Sequence, residues 1–263
     1  MEGWTRADIA ENDGGAPILF QALPLAGSTL SRRIVFEDFS EAYVKIFQWF
    51  LNGLPRWDSD PVRIPSRTVT AELAIASAKL PCLEHLSASF LVDARHFFPV
   101  VVSLAGAPGS WAKLASLTLT SQLLAPDQSA ARINDLLGTA AAAAERLPAL
   151  ESMELWNGKE GLACVFQYQD LAPSSSSSST GPPRITWRAT WDVELEPRVV
   201  EAWKKVVVYK RGPCAQLQVV KDVLDVSAAA AIKSHGDAIC HLHLANDVLH
   251  PVSLSQIRRE NMY

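Results

Sequence analysis

The chain has 263 residues, 48% hydrophobic and 20% charged, against roughly 25% charged in an average soluble domain, which excludes a disulfide-stapled miniprotein and a chain disordered throughout. A net charge of −4 offers phosphate no global attraction, so no nucleic-acid partner is expected. What remains is a globular protein with a sizeable core.

Residues 1–33 carry acids and a Gly pair where a secretory signal needs a basic start and an apolar run. They are expected to be an N-terminal extension to an intracellular protein, cytoplasmic or nuclear, with the folded domain over residues 34–263. In that domain Ser40 to Asn52, closed by Gly53, is predicted to be a helix, and so is Val69 to Lys79; together they make an N-terminal helical cap. LEHLSAS from Leu83 follows as a short strand. The apolar stretch Phe97 to Leu104 is broken by Pro99 and Ser103 and is far shorter than the roughly 20 residues that span a bilayer, so no membrane partner is expected.

LASLTLT from Leu114 is the next strand, and Ser129 to Leu147 the clearest helix. There Ile133, Leu136, Leu137, Ala140, Ala141, Ala144 and Leu147 keep a 3.6-residue period behind a capping Ser129 or Asp127. LESMELW from Leu150 is again a strand. Cys164 to Gln169 and Arg184 to Trp191 alternate in strand fashion around a Ser-rich stretch, which predicts a hairpin with a flexible tip over residues 171–183. Pro197 suits the first turn of a helix with Val199, Val200, Trp203 and Val206 or Val207 on its apolar face. CAQLQVV from Cys214 reads as a strand, AAAAIKSH as a helix capped by Ser227 and ended by Gly236, and ICHLHLA from Ile239 as a last strand.

The five strand segments share the template apolar-x-x-apolar-x-apolar-x, with starts 31, 36, 64 and 25 residues apart. A strand sends alternate side chains to opposite faces, so Leu117 and Leu119 point inward while Ser116, Thr118 and Thr120 point out. Helices between the strands supply the second layer that each apolar face needs. The expected fold is therefore α/β: an irregular leucine-rich-repeat-like αβ solenoid with a helical cap and a β-hairpin insertion.

LPCLEHLSASFLVDA from Leu80, LPALESMELWNG from Leu147, ITWRATW from Ile185, SHGDAICHLHL from Ser234 and HPVSLSQIRRE from His250 together resemble the C-terminal repeat domain of a fungal F-box protein family. The resemblance runs from about Ile34 to Glu260. It implies a substrate receptor, in which an F-box binds the adaptor of a ubiquitin ligase and the repeat domain holds the target. Residues 1–33 are too few and too Gly-rich for an F-box, so adaptor binding by this chain is not expected.

Stacked strands bring a polar row onto one concave face: His85, Thr118, Thr120, Glu154, Trp156, Gln218 and His243 are the candidate binding residues, with Trp156 as aromatic anchor. The function expected of that face is non-catalytic recognition of a protein or small ligand. The alternative is an enzyme using His241, His243 and Glu154 for acid–base chemistry. His241 and His243 with Asp237 or Asp247 have the residue types of a metal shell, but their outward positions explain them without one, and no metal is assigned. No glycine-rich phosphate cradle is present, so no cofactor is assigned. The doublets Arg32-Arg33, Lys204-Lys205, Lys210-Arg211 and Arg258-Arg259 are read as solvated faces. Cys82, Cys214 and Cys240, in apolar segments, are read as buried thiols, and His235 as a ring at a helix C-terminus. Trp187 and Trp191 either line a pocket or lie between layers.

Overall fold

The computed structural model describes residues 30–37, 67–104, 111–170 and 181–260, and among them seven strands and seven helices. In chain order these are β1 (Arg32–Phe36), α1 (Arg67–Ala78), β2 (His85–Ser89), α2 (Ala94–Ser103), β3 (Ser116–Thr120), α3 (Ala130–Ala144), β4 (Ser152–Lys159), β5 (Leu162–Gln169), β6 (Arg184–Ala189), α4 (Pro197–Arg211), β7 (Gln218–Val223), α5 (Val226–Ala231), α6 (His235–Leu242) and α7 (Pro251–Glu260). The expected helix Ser40 to Asn52 and most of the hairpin tip lie outside the described residues.

All seven strands form one mixed sheet in sequential order. β1 to β4 are parallel, β4, β5 and β6 alternate antiparallel, and β6 and β7 are parallel again. The strand template holds for the first three repeats: Leu86 lies beside Leu117, and Leu117 beside Met153. The hairpin is present as β5–β6, but it is a central part of the sheet, since β5 also turns directly back from β4. Glu160 and Gly161 make that two-residue turn, and Gly161 sits at φ +69, where a side chain is strained.

One face of the sheet carries the main core. Leu86, Ala88, Leu117, Leu119, Met153, Leu155, Phe166, Tyr168, Ile185 and Trp187 meet the apolar sides of α1 to α4, which pack against one another in order. The Ser129 cap is realised, its hydroxyl accepting from the Arg132 N–H, and Val199, Trp203, Val206 and Val207 are buried as the period of α4 requires. Trp203 lies against the rings of Phe166 and Tyr168, with centroids 5.3 and 4.8 Å away. Trp187 is buried between layers and donates its indole N–H to the Trp191 carbonyl. α2 has no counterpart in the sequence reading. It is started by Asp93, a fully buried carboxylate that accepts from the Arg95 N–H, the Ser121 hydroxyl and the Gln122 N–H and so ties the turn after β2 to the turn after β3.

Several expectations fail at the C-terminal end. ICHLHLA is not a strand: Ser234 caps α6 by accepting from the Asp237 N–H, and His243 ends that helix in a left-handed conformation at φ 51. Gly236 therefore lies inside a helix, and His235 opens one instead of closing it. AAAAIKSH is split, with α5 capped by Asp225 and broken at Ile232. Leu242 packs in a second core on the opposite face of the sheet, so it is no rung beside Leu117 and Met153. Two of the cysteines read as buried thiols, Cys214 and Cys240, are exposed and Cys82 is only partly buried, whereas Cys164 is buried. Lys210-Arg211 is no solvated doublet: the Lys210 ammonium donates to the carbonyls of Leu147, Pro148 and Leu150, and Arg211 pairs with Asp170. Arg33 is likewise buried in β1. Among the described residues no helix is long and apolar enough to cross a membrane.

Candidate functional site

The face opposite α1 to α4 holds three cross-strand rows set by register. The first is Arg32, His85, Ser116, Ser152, Gln169, Arg184 and Gln218; the second Ile34, Ser87, Thr118, Glu154, Gln167, Thr186 and Val220; the third Phe36, Ser89, Thr120, Trp156, Val165, Arg188 and Asp222. β2, β3 and β4 thus do bring His85, Thr118, Thr120, Glu154 and Trp156 onto one face. Gln218 falls on the same face at the far edge, on β7. His241 and His243 belong to α6 and its end, and reach this face only as part of what covers it.

The chain's own C-terminal segment covers much of the row. α6 packs on β4 and β5, and α7 on α6. Trp156, Ala163 and Val165 form a second core with Ile232, Ala238, Leu242 and Val248. The approach is close because of Gly158, where an added Cβ would lie 2.4 Å from the Cβ of Ala238. Gly158→Ala is expected to push α6 off β4 and cost about 1–3 kcal/mol by overpacking, with much of the loss recovered in Gly158→Ala/Ala238→Gly. Chemical denaturation of the two variants is the measurement, and equal stability of Gly158→Ala and the parent would show that α6 sits elsewhere.

Glu154 is fully buried at the centre of this contact. One carboxylate oxygen accepts from the Ala245 N–H at 2.6 Å and the Gln167 amide at 2.7 Å. The other accepts from the Asn246 N–H at 3.3 Å, the Asn246 side-chain amide at 3.1 Å and the Thr118 hydroxyl at 3.2 Å. Burial raises its pKa above the ordinary glutamate value, and the bonds from Ala245, Gln167 and Asn246 oppose that rise. The side-chain amide of Asn246 reaches Ser152 and Thr118 as well, so one asparagine spans two strands. Thr120, in the next row, accepts from the Phe90 N–H at 2.7 Å and donates to the Val92 carbonyl, holding the turn after β2.

The other candidates are dispersed. Gln218 and His243 are exposed, and His85 and His241 are partly so. The His241 carbonyl accepts from Arg188 at 2.9 Å, which fixes the end of α6 to β6. Asp237 pairs with Arg258 and Asp247 with Arg32. Among the described residues no cluster of three or more His, Cys, Asp or Glu side chains is placed to hold a metal. Beyond the cover, Gln169, Arg184, Thr186, Gln218 and Asp222 on β5, β6 and β7 remain partly or fully exposed on this face. Asn246, Gly158 and Phe90 are the site residues that sequence reasoning missed. Only Gly158, a glycine inside a strand, carried a signal in the sequence.

The model of a family described as a family of unknown function (DUF6546) matches residues 22–250. No curated protein and no solved structure matches the chain.

Proposed function

We propose, from the premise that the chain belongs to the DUF6546 family, that it is a non-catalytic recognition module whose partner engages the sheet face opposite α1 to α4. One observation carries this reading. The covered half of the face already grips a polypeptide, because Glu154 accepts two consecutive backbone N–H groups, those of Ala245 and Asn246, in a contact that depends little on sequence. The open half continues the same rows with Gln169, Thr186, Arg184 and Gln218, donors and acceptors suited to a second stretch of main chain beside the first.

The finer reading of the fold, a leucine-rich-repeat-like solenoid akin to the substrate-holding domain of F-box proteins, is supported by the parallel, sequential order of β1 to β4 and by helical returns packed in order along one face. That kinship makes a protein the favoured ligand. A reducing compartment, cytoplasm or nucleus, accords with its free cysteines.

The test is affinity purification from the expressing cells with Arg184→Glu/Gln218→Arg, against Lys205→Glu on the helical side as control. The expected result is loss of the co-purifying protein from the first variant alone, both variants keeping the parent's circular dichroism and melting temperature. Identical partner sets in both would overturn the reading.

A further inference from the structure

We infer that the aromatic slot now filled by the side chain of Phe90 is a binding site for a small planar aromatic ligand bearing a hydrogen-bond acceptor. The inference is independent of the recognition reading above, since it concerns the third row and not the open half of the face.

Phe90 follows the last residue of β2, at the carboxyl end of the parallel strands, where open α/β sheets commonly bind ligands. Its backbone is strained. At φ 62 it is a bulky residue in the left-handed region, and the Leu91 N–H donates back to the Ser89 carbonyl at 2.8 Å, which closes a tight turn of the rare positive-φ kind. Thr120 holds the turn through the Phe90 N–H. Strain of this sort persists where the surroundings enforce it, and it gathers at ligand clamps.

What the strain achieves is to fold one ring into a slot walled by three others. Phe36 lies 5.5 Å away at 83°, Trp156 5.0 Å away at 75° and His235 5.5 Å away at 69°, all edge-on to Phe90. Phe90 itself is only partly buried, so its ring has a way out to solvent. The row beneath is polar and incompletely satisfied. Ser89 and Trp156 are fully buried, flank Thr120 in register, and among the described residues neither the Ser89 hydroxyl nor the Trp156 indole N–H has a hydrogen-bond partner. A phenyl ring offers those two donors no acceptor. A flat ring carrying a carbonyl or a ring nitrogen would fill the same walls and meet both groups, leaving buried polar atoms satisfied as they usually are in native proteins. Phe90 is then a resident stand-in that the ligand displaces.

The test uses benzamide, with toluene as the matched ring that lacks an acceptor. In the full chain, the Trp156 indole N–H resonance, assigned by its disappearance in Trp156→Phe, is expected to shift with benzamide and stay in place with toluene. Phe90→Gly removes the competing ring and suits the positive φ, so it is expected to bind benzamide at least tenfold more tightly than the parent and at least tenfold more tightly than toluene; Ser89→Ala in that background erases most of the preference. If Phe90→Gly binds both probes alike or neither, the slot is a plain cavity or none, and the inference fails. Should that variant not fold, the parent decides alone: a benzamide-specific shift supports the site and its absence overturns it.

Discussion

Replacing Glu154 with alanine is expected to release the C-terminal segment and cost about 3–5 kcal/mol, since a buried donor left without an acceptor costs about 1–3 kcal/mol and at least two of the five donors have no second acceptor among the described residues. Among the described residues the backbone N–H groups of Ala245 and Asn246 donate to Glu154 alone, and the Gln167 amide is held by its strand. Hydrogen exchange read residue by residue would localise the effect: Ala245 and Asn246 lose protection first, and amides of β2 and β3 least. Glu154→Gln keeps the shape but points an amide at donors, so it falls between parent and alanine. It also removes a titration. Because burial holds the folded pKa of Glu154 above that of the unfolded chain, the native state keeps this proton to higher pH, and the associated stability is full below the unfolded value and fades as pH rises through the folded one. The margin of the parent over Glu154→Gln should therefore shrink between acidic and neutral pH. A margin that grows instead would contradict the stated direction.

The second large effect belongs to the opposite layer. Trp203→Ala is expected to cost about 3–5 kcal/mol, because it empties a fully buried indole from between Phe166 and Tyr168 and detaches α4 from β5. Trp203→Phe should cost well under half as much. Among the described residues the indole N–H of Trp203 has no hydrogen-bond partner, so phenylalanine gives up ring area without breaking a bond. Chemical denaturation of both variants decides the point, and a loss below about 1 kcal/mol for alanine would mean that α4 contributes little to the main core.

Layers and strands were legible where one period dominated. Ser129 and the alanine-rich run behind it specify α3 without help from the rest of the chain, and LASLTLT admits only a strand. ICHLHLA was not legible in that way. Its spacing satisfies an alternating template and a helical one at once, since Ile239 and Leu242 are three apart and Leu242 and Leu244 two apart. The deciding signal was upstream, in Ser234 and Asp237 at capping distance, which begin a helix before the ambiguous run is reached. The candidate site shows the same division. Alternation sufficed to put Thr118, Glu154 and Trp156 on one face, because that follows from strand geometry. What covers them did not follow, because the contact joins Glu154 to residues 91 and 92 positions later and rests on main-chain N–H groups that every residue possesses. Phe90 was hidden for a related reason, since no local pattern announces a phenylalanine at positive φ.

The Glu154 clasp also sets a timetable for synthesis. A ribosome adding roughly 5–20 residues per second needs about 5–18 seconds to travel from Glu154 to its distant partner, the Ala245 that lies 91 residues on. During that interval β5, β6 and β7 join the sheet while Trp156 and the Glu154 carboxylate still lack the cover and the donors of residues 245 and 246, and a message cut short before codon 245 leaves them so permanently. Quality control in the cell is thereby handed a simple mark of the unfinished molecule.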